Sequence, residues 1–499
     1  MKRILAILIF LPCLSAFALA DTAELEPNPR AERFVKMQVA AGEPADLEKE
    51  FPDPGDRVLG SEFLVNLLTG ASSNVHRHGV RIINATFADD IDLENADVSH
   101  NVELSGCNFL GDLELSQSHF KKNLILDGST IGGTLNLIRG IIDGDLKINS
   151  VKFTSVEGEA DFTDLQAAGS FELSNASFAG RALFIHDKIG GNLDAQGASF
   201  ANRETEISFD SMIVGAYALF RGAIFSSSVT FAYADVARNF GTEDAHFTNS
   251  RTDAYAIFNS MKVGLDGKFH RTVFDCRVDF GHAEFGGRFE PTQATFNAPW
   301  SFPNFSGLKA DVVDFSLAKF SNRYALEGME YREIKADSVS DFVDRATYSP
   351  DAYASLESFL KRKGMEGSAN TVYIAQRRRE RSGLSLPGKV GSVLLDVLVG
   401  YGRRPWLAFV WGALFVALGA AVFRRRTNMQ PQKPEYESRH YSAFWYSLDM
   451  FLPFVDLKAA DYWEPRMDRQ LARTYLRIHI LLGWILIPIG LAAISGLVK

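Results

Sequence analysis

The chain has 499 residues, of which 46% are hydrophobic, with only three cysteines and a formal net charge of −9. So few thiols exclude a disulfide-stapled scaffold, and the acidity argues against nucleic acid as a partner. The charge is uneven: residues 81–330 hold 20 Lys and Arg against 34 Asp and Glu, net −14, while residues 361–404 hold ten against three, net +7.

Residues 1–20 read as a secretory signal peptide. Lys2 and Arg3 form the basic start, residues 4–11 the apolar stretch, and Ala18-Leu19-Ala20 a small-residue cleavage site before Asp21. Cleavage there leaves Cys107 and Cys276 as the thiols of the mature chain. Residues 21–80 read as an N-terminal cap, with "NPRAERFVKMQVAAG" and "SEFLVNLLTG" as short helices around a turn at "FPDPGD". A repeat array needs such an atypical end, because its last unit exposes unpaired strand edges. His76 and His78 alternate within it, but no acidic residue or thiol follows closely enough to complete a metal set.

Residues 81–333 repeat on an 11-residue beat. Phe87, Val98, Phe109, Phe120, Ile131, Ile142 and Phe153 mark it, and after each slip it resumes, as at Phe178, Ile189 and Phe200. Apolar pairs stand seven and five places before the marker, as in Leu113 and Leu115 before Phe120. Two places before it stands a small residue, such as Cys107, Ser118, Ser129, Ala176 or Ala198. Alternation means short strand steps with inward side chains, and a fixed period means a solenoid. Gly111, Gly132, Gly144 and Gly190 are expected to turn the corners with positive φ. Asp89, Asp90 and Asp92 lack the glycine and closing Glu of a calcium loop and read as outward decoration.

With "NASF", "GASF", "GAIF", "HAEF" and "QATF", this region resembles the pentapeptide-repeat family. The resemblance implies a right-handed quadrilateral β-helix, with about 22 residues per coil here. At a coil spacing of about 4.8 Å, roughly 11 coils make a stack of about 50 Å.

Residues 334–404 read as a helical neck and juxtamembrane segment. A hairpin of helices covers 351–362 and 368–381, broken at Gly364, and an amphipathic stretch covers 386–400. Arg377 to Arg381 read as a solvated or lipid-headgroup-facing surface. Residues 405–423 and 476–498 are long and apolar enough for two transmembrane helices, with Trp406, Trp411 and Trp484 as interfacial anchors. Residues 424–475 are then a cytoplasmic loop. Within reach of the spans that loop carries nine Lys and Arg against four on the outer flanks, as the positive-inside rule requires.

The loop segment 441–456 holds Phe444, Trp445, Leu448, Phe451, Leu452 and Phe454. It reads either as an amphipathic interfacial helix or as a re-entrant one. Helix, apolar segment, helix resembles the pore module of two-span potassium channels. "LPFVDL" stands where the Thr-x-Gly-Tyr-Gly filter would be, so the resemblance is to a degenerate pore unit. Asp161, Asp164, Asp194 and Asp210 would be acids for glycan chemistry on a β-helix flank, but nothing in one sequence brings them together.

The sequence therefore assigns no catalytic, cofactor-binding or metal residue. The expectation is a non-enzymatic scaffold in the bacterial inner membrane with a large periplasmic N-terminal domain. Its partners are inner-membrane lipids and an envelope protein or glycan. An oligomeric channel-like protein sensed through the β-helix, and a periplasmic glycan-acting enzyme, are the alternatives.

Overall fold

The computed structural model describes residues 25–70, 74–338, 342 and 345–494, so the signal-peptide segment lies outside the described residues. The chain forms two compact units, Met1–Asn322 and Arg323–Lys499.

The first unit is a β-solenoid of about twelve coils, each with four short faces. One coil shows the rule. Thr86–Phe87 forms a first face, Ile91–Asp92 a second, Asp97–Val98 a third and Val102–Ser105 a fourth. Asn108–Phe109 then lies over Thr86–Phe87 in parallel register, 22 residues on. Such two-residue strands have little local stability. They persist because each is hydrogen-bonded to the coils on both sides and because one side chain of each points into the core.

From Phe153 onward two stacks of aromatic rings run through that core. Phe153, Phe178, Phe200, Phe225, Phe247, Phe274, Phe296 and Phe320 stack with ring centres 4.6–5.1 Å apart. Phe162, Phe184, Phe209, Phe231, Phe258, Phe280 and Phe305 form a second stack at 4.6–5.7 Å. Rings of one stack meet those of the other edge-on, as with Phe178 and Phe184. Offset stacking along the axis and T-shaped contact across it are the two favoured aromatic geometries.

The corners differ from the sequence expectation. Positive φ falls mainly on non-glycine residues, among them Asn95, Gln117, Arg139, Asp164 and His186 between the second and third faces. Gly111, Gly132, Gly144 and Gly190 are absent from that set. A Cβ on Gly190 would strike the Ala168 carbonyl of the coil beneath and one on Gly111 the backbone at Asp89 and Asp90, while at Gly132 the fit over the Phe109 carbonyl is merely tight. Their requirement is close approach of two backbones, not a left-handed turn.

The acidity of the repeat has a structural outlet. Asp90 Oδ1 accepts the Asp112 N–H at 2.7 Å, and Asp112 Oδ1 accepts that of Thr134 at 2.7 Å. Asp145 and Asp266 accept from Ser170 and Arg288 in the same way. Side-chain oxygens thus satisfy corner N–H groups that the short strands leave over.

Asp187 stands in register with Leu165 and Met212 on the adjoining coils and is fully buried. Its Oδ1 accepts the Leu165 N–H at 3.1 Å, while Oδ2 has no protein partner. Burial pushes its carboxyl well above the usual range, against the single Leu165 hydrogen bond, with Asp161 and Asp164 adding to the rise. A raised folded pKa means that stability is full below the unfolded value of about 3.8 and falls as pH rises toward the folded value. Asp187→Ala should therefore be more stable than the parent at pH 7 by about 1–3 kcal/mol, with the gap closing toward pH 3. Leu165 N–H keeps its bond to the Phe162 carbonyl at 2.9 Å. Urea melts of both proteins across that pH range measure the difference, and a destabilised variant at pH 7 would contradict it.

Ahead of the repeat, helices Pro29–Ala41 and Ser61–Thr69 cover the solenoid end. Strands Ala45–Asp46 and Val58–Leu59 continue its ladders, pairing Ala45 with Ile82 and Val58 with Thr86.

The second unit is largely helical. Pro350–Arg362 and Glu366–Glu380 form a hairpin with Gly364 at φ 72°, followed by Leu386–Val399. Trp406–Phe423 and Gln470–Ile494 are long and apolar enough to cross a membrane. The second starts six residues before the apolar run does, because Gln470 to Tyr475 extend the same helix. Ala443–Phe451 lies between them in sequence, and Met429–Pro431 pairs with Trp463–Pro465 to close the base of the connection.

Candidate functional site

The insertions that break the 11-residue beat all fall at one corner; apart from them the ladder shifts register between Phe285 and Arg288. Between the first and second faces, partner residues are normally 22 apart, as in Ile91 with Leu113. The spacing becomes 25 for Leu135 with Ala160, 25 for Ala182 with Ile207, 27 for Val229 with Ala256 and 25 for Asp279 with Asn304. The extra residues lie in 154–158, 201–205, 248–253 and 297–302, on alternate coils. Two coils span about 10 Å, so the insertions form a regular row.

Two of the loops are tied together. Arg251 pairs with Glu204 at 2.9 Å and Asp253 at 3.1 Å, and Asn249 donates to the Arg203 carbonyl at 3.4 Å. The other two carry exposed apolar side chains: Val156 in one, Trp300 and Phe302 in the other. Insertions gathered on one side of a solenoid commonly make its binding face. The sequence registered the slips but not that they share a corner, which only the register of the faces reveals.

The residues singled out for chemistry do not converge. Asp161 accepts the Thr163 N–H, Asp164 lies near Arg139 and His186, Asp194 accepts from Ser174 and Gln196, and Asp210 accepts from Ser211. Asp161 is on the second face and Asp194 on the fourth. His78 Nδ1 lies 3.0 Å from the Gly42 carbonyl, and His76 packs edge-on against it at 4.4 Å. No cluster of three metal-ligating side chains occurs among the described residues. Cys107 and Cys276 are buried free thiols, and burial pushes both up to about 12, so neither is a nucleophile at neutral pH.

A second candidate lies in the C-terminal unit. Ala443–Phe451 packs against both long apolar helices, made possible by small residues on them. Phe451 rests on Gly412, and a Cβ on Gly483 would strike the Phe451 carbonyl. One turn earlier, Ser447 is fully buried and donates to the Val416 carbonyl at 2.8 Å. His479, also fully buried, places Nε2 2.9 Å from the Ser447 carbonyl and Nδ1 3.4 Å from the Tyr475 hydroxyl. Tyr475 in turn donates to the Phe415 carbonyl at 3.2 Å. With the proton on Nε2, every donor in this centre has an acceptor.

Asp449 closes the connection that follows. Its two carboxylate oxygens accept the N–H groups of Leu457 and Ala460, each at 2.8 Å. The chain after Phe451 therefore folds back onto its own helix.

In the run from Arg377 to Arg381, Arg377 and Arg378 are exposed, as a solvated or headgroup-facing surface would be, yet the guanidinium groups are partnered within the chain. Arg378 and Arg381 pair with Asp396 at 2.8 and 2.6 Å, Arg377 with Glu380 at 2.9 Å, and Arg379 donates to the Ala346 carbonyl at 2.7 Å. The turn at Arg381–Gly383 brings Asp396 of Leu386–Val399, fifteen or more residues away, beneath the basic run, a pairing that helical periodicity alone does not encode.

No family model, curated protein or solved structure matches this chain.

Proposed function

We propose that this protein is a membrane-anchored scaffold whose solenoid binds an envelope protein or glycan along its insertion-bearing corner. The row of insertions on alternate coils carries this reading. A solenoid tolerates added residues at any corner, so four on the same one mark the surface under selection for contact. Trp300, Phe302 and Arg251 supply the aromatic and guanidinium groups that dominate binding energetics.

The anchor rests on inverted polarity in the C-terminal unit. Phe409, Val410, Leu414, Leu418, Leu481 and Ile485 are exposed, while Ser447, Asp449 and His479 are buried. Apolar outside and polar inside suits lipid as solvent. The signal-peptide reading and the Lys and Arg bias of the loop support a periplasmic solenoid with residues 424–474 in the cytoplasm. An export-dependent phosphatase fused after Tyr331 should be active and one fused after Lys433 silent. The reverse pattern would invert the topology.

To test the scaffold, photo-crosslinking residues are placed at Val156, Arg203, Thr252 and Trp300 of the full chain in cells, with Leu265 at another corner as control. Discrete adducts from the insertion corner alone are expected. Equal labelling from both corners, or none from either, removes the assignment.

A second reading is favoured by the inserted helix Ala443–Phe451, whose position between two apolar helices is the layout of a pore unit. Two spans cannot enclose a conduit alone, so it requires an oligomer. Conductance in planar bilayers, abolished by substitutions across 448–456, would support it, and a strictly monomeric protein in mild detergent would exclude it.

A further inference from the structure

Helix Leu386–Val399 presents three different faces. Val399, Ser392 and Asp396 are on the side turned to the neck, where Arg381 Nε donates to Ser392 Oγ at 3.2 Å and the two arginines clamp Asp396. Leu398 packs against Val416, Phe451 and Leu486 of the apolar bundle. The remaining side is solvent-exposed and apolar. Leu386 is 80% exposed, Val390 59%, Leu394 52% and Val397 47%, with Val393 beside them. Their spacing of four, four and three residues keeps them on one stripe.

The position of this stripe is fixed from two sides. Gly400, Tyr401 and Gly402 follow at φ 55°, 52° and 84°, a left-handed run that reverses the chain before Trp406. Tyr401 is locked there, its hydroxyl 2.7 Å from both Arg381 and Ser392. Trp411, early in the first apolar helix, donates Nε1–H to the Val397 carbonyl at 3.0 Å. The C-terminal end of the stripe thus lies level with the start of that helix, where indole groups favour the headgroup region.

We propose that Leu386–Val399 is an interfacial helix whose exposed stripe is sunk into the outer leaflet, so that the lipid surface is its partner. This rests on the membrane-anchor reading. The occupant is lipid because the stripe is continuous with the exposed apolar surface of a span through Val397 and Trp411, and because Lys389, Arg403 and Arg404 flank it with charge suited to phosphate headgroups. Arg403 also pairs with Glu357 at 2.7 Å, which ties the hairpin to this level. The helix would then hold the neck at a set height above the bilayer.

The test uses spin labels on the full chain in vesicles of phosphatidylethanolamine and phosphatidylglycerol. Val390→Cys, Leu394→Cys and Val397→Cys report on the stripe, and Leu414→Cys and Leu481→Cys on the spans. All five are exposed positions, so the fold should tolerate them, and the native thiols are buried. Oxygen accessibility exceeding that of a water-soluble nickel chelate at all five is expected. Nickel preference on the stripe with oxygen preference on the spans overturns the interfacial helix alone. A stripe shielded from both reagents also overturns it, since protein then covers the helix. Nickel preference at Leu414→Cys and Leu481→Cys removes the membrane anchor itself.

Discussion

Asp449→Ala should release the connection between the two apolar helices and cost the C-terminal unit about 3–6 kcal/mol. Two backbone N–H groups, those of Leu457 and Ala460, end on this one carboxylate. Hydrogen bonds to a charged acceptor contribute about 1.5–3 kcal/mol each, and buried donors left unpaired are costly. Ala460 also packs with Phe423, Met429, Tyr446 and Trp463, so losing its anchor loosens the base of the unit. Asp449→Asn should recover only part, because its amide nitrogen would face one of the two donors. Limited proteolysis in mild detergent measures this, with rapid cleavage between 452 and 469 expected in the alanine variant. An unchanged cleavage pattern would show that the carboxylate does not hold the segment.

Phe184→Ala should cost about 3–5 kcal/mol, the usual range for deleting a fully buried ring. Phe184 stacks on Phe162 at 5.0 Å and on Phe209 at 4.6 Å, and meets Phe171 and Phe178 from the side. The ring is 1% exposed, and coils above and below hold the walls apart, so the cavity cannot collapse without breaking ladder hydrogen bonds. In a quasi-one-dimensional array such a break uncouples the stack on either side. Phe184→Leu should cost markedly less, and Phe320→Ala, at the last stacked ring and only half-buried, less still. Urea unfolding of the three variants gives the order. Equal losses at Phe184 and Phe320 would mean that position in the stack does not matter.

Much of the first unit was legible because a solenoid writes its geometry locally. Away from the insertion corner each inward position is a fixed step from the last, so Phe87, Val98, Phe109 and Phe120 announced both the period and the core. Where a small residue stands two places before the marker it is mostly buried, as with Cys107, Ser118 and Ala198, although Ala96 and Ala318 are only partly so. Glycine was misjudged at the corners because its two uses, positive φ and backbone contact, look alike until the coil beneath is placed.

By itself the sequence determined the repeat, its extent and the two apolar helices, since each is a pattern of neighbours or of near neighbours along the chain. Only the tertiary structure decided that four separate insertions share one corner, that Asp187 is a buried carboxyl, and that Asp396 neutralises the basic run. It alone joined Ser447 to His479, 32 residues apart. Those pairings depend on which segments pack together, and hydrophobic periodicity is blind to polar partners brought in from another helix or another coil.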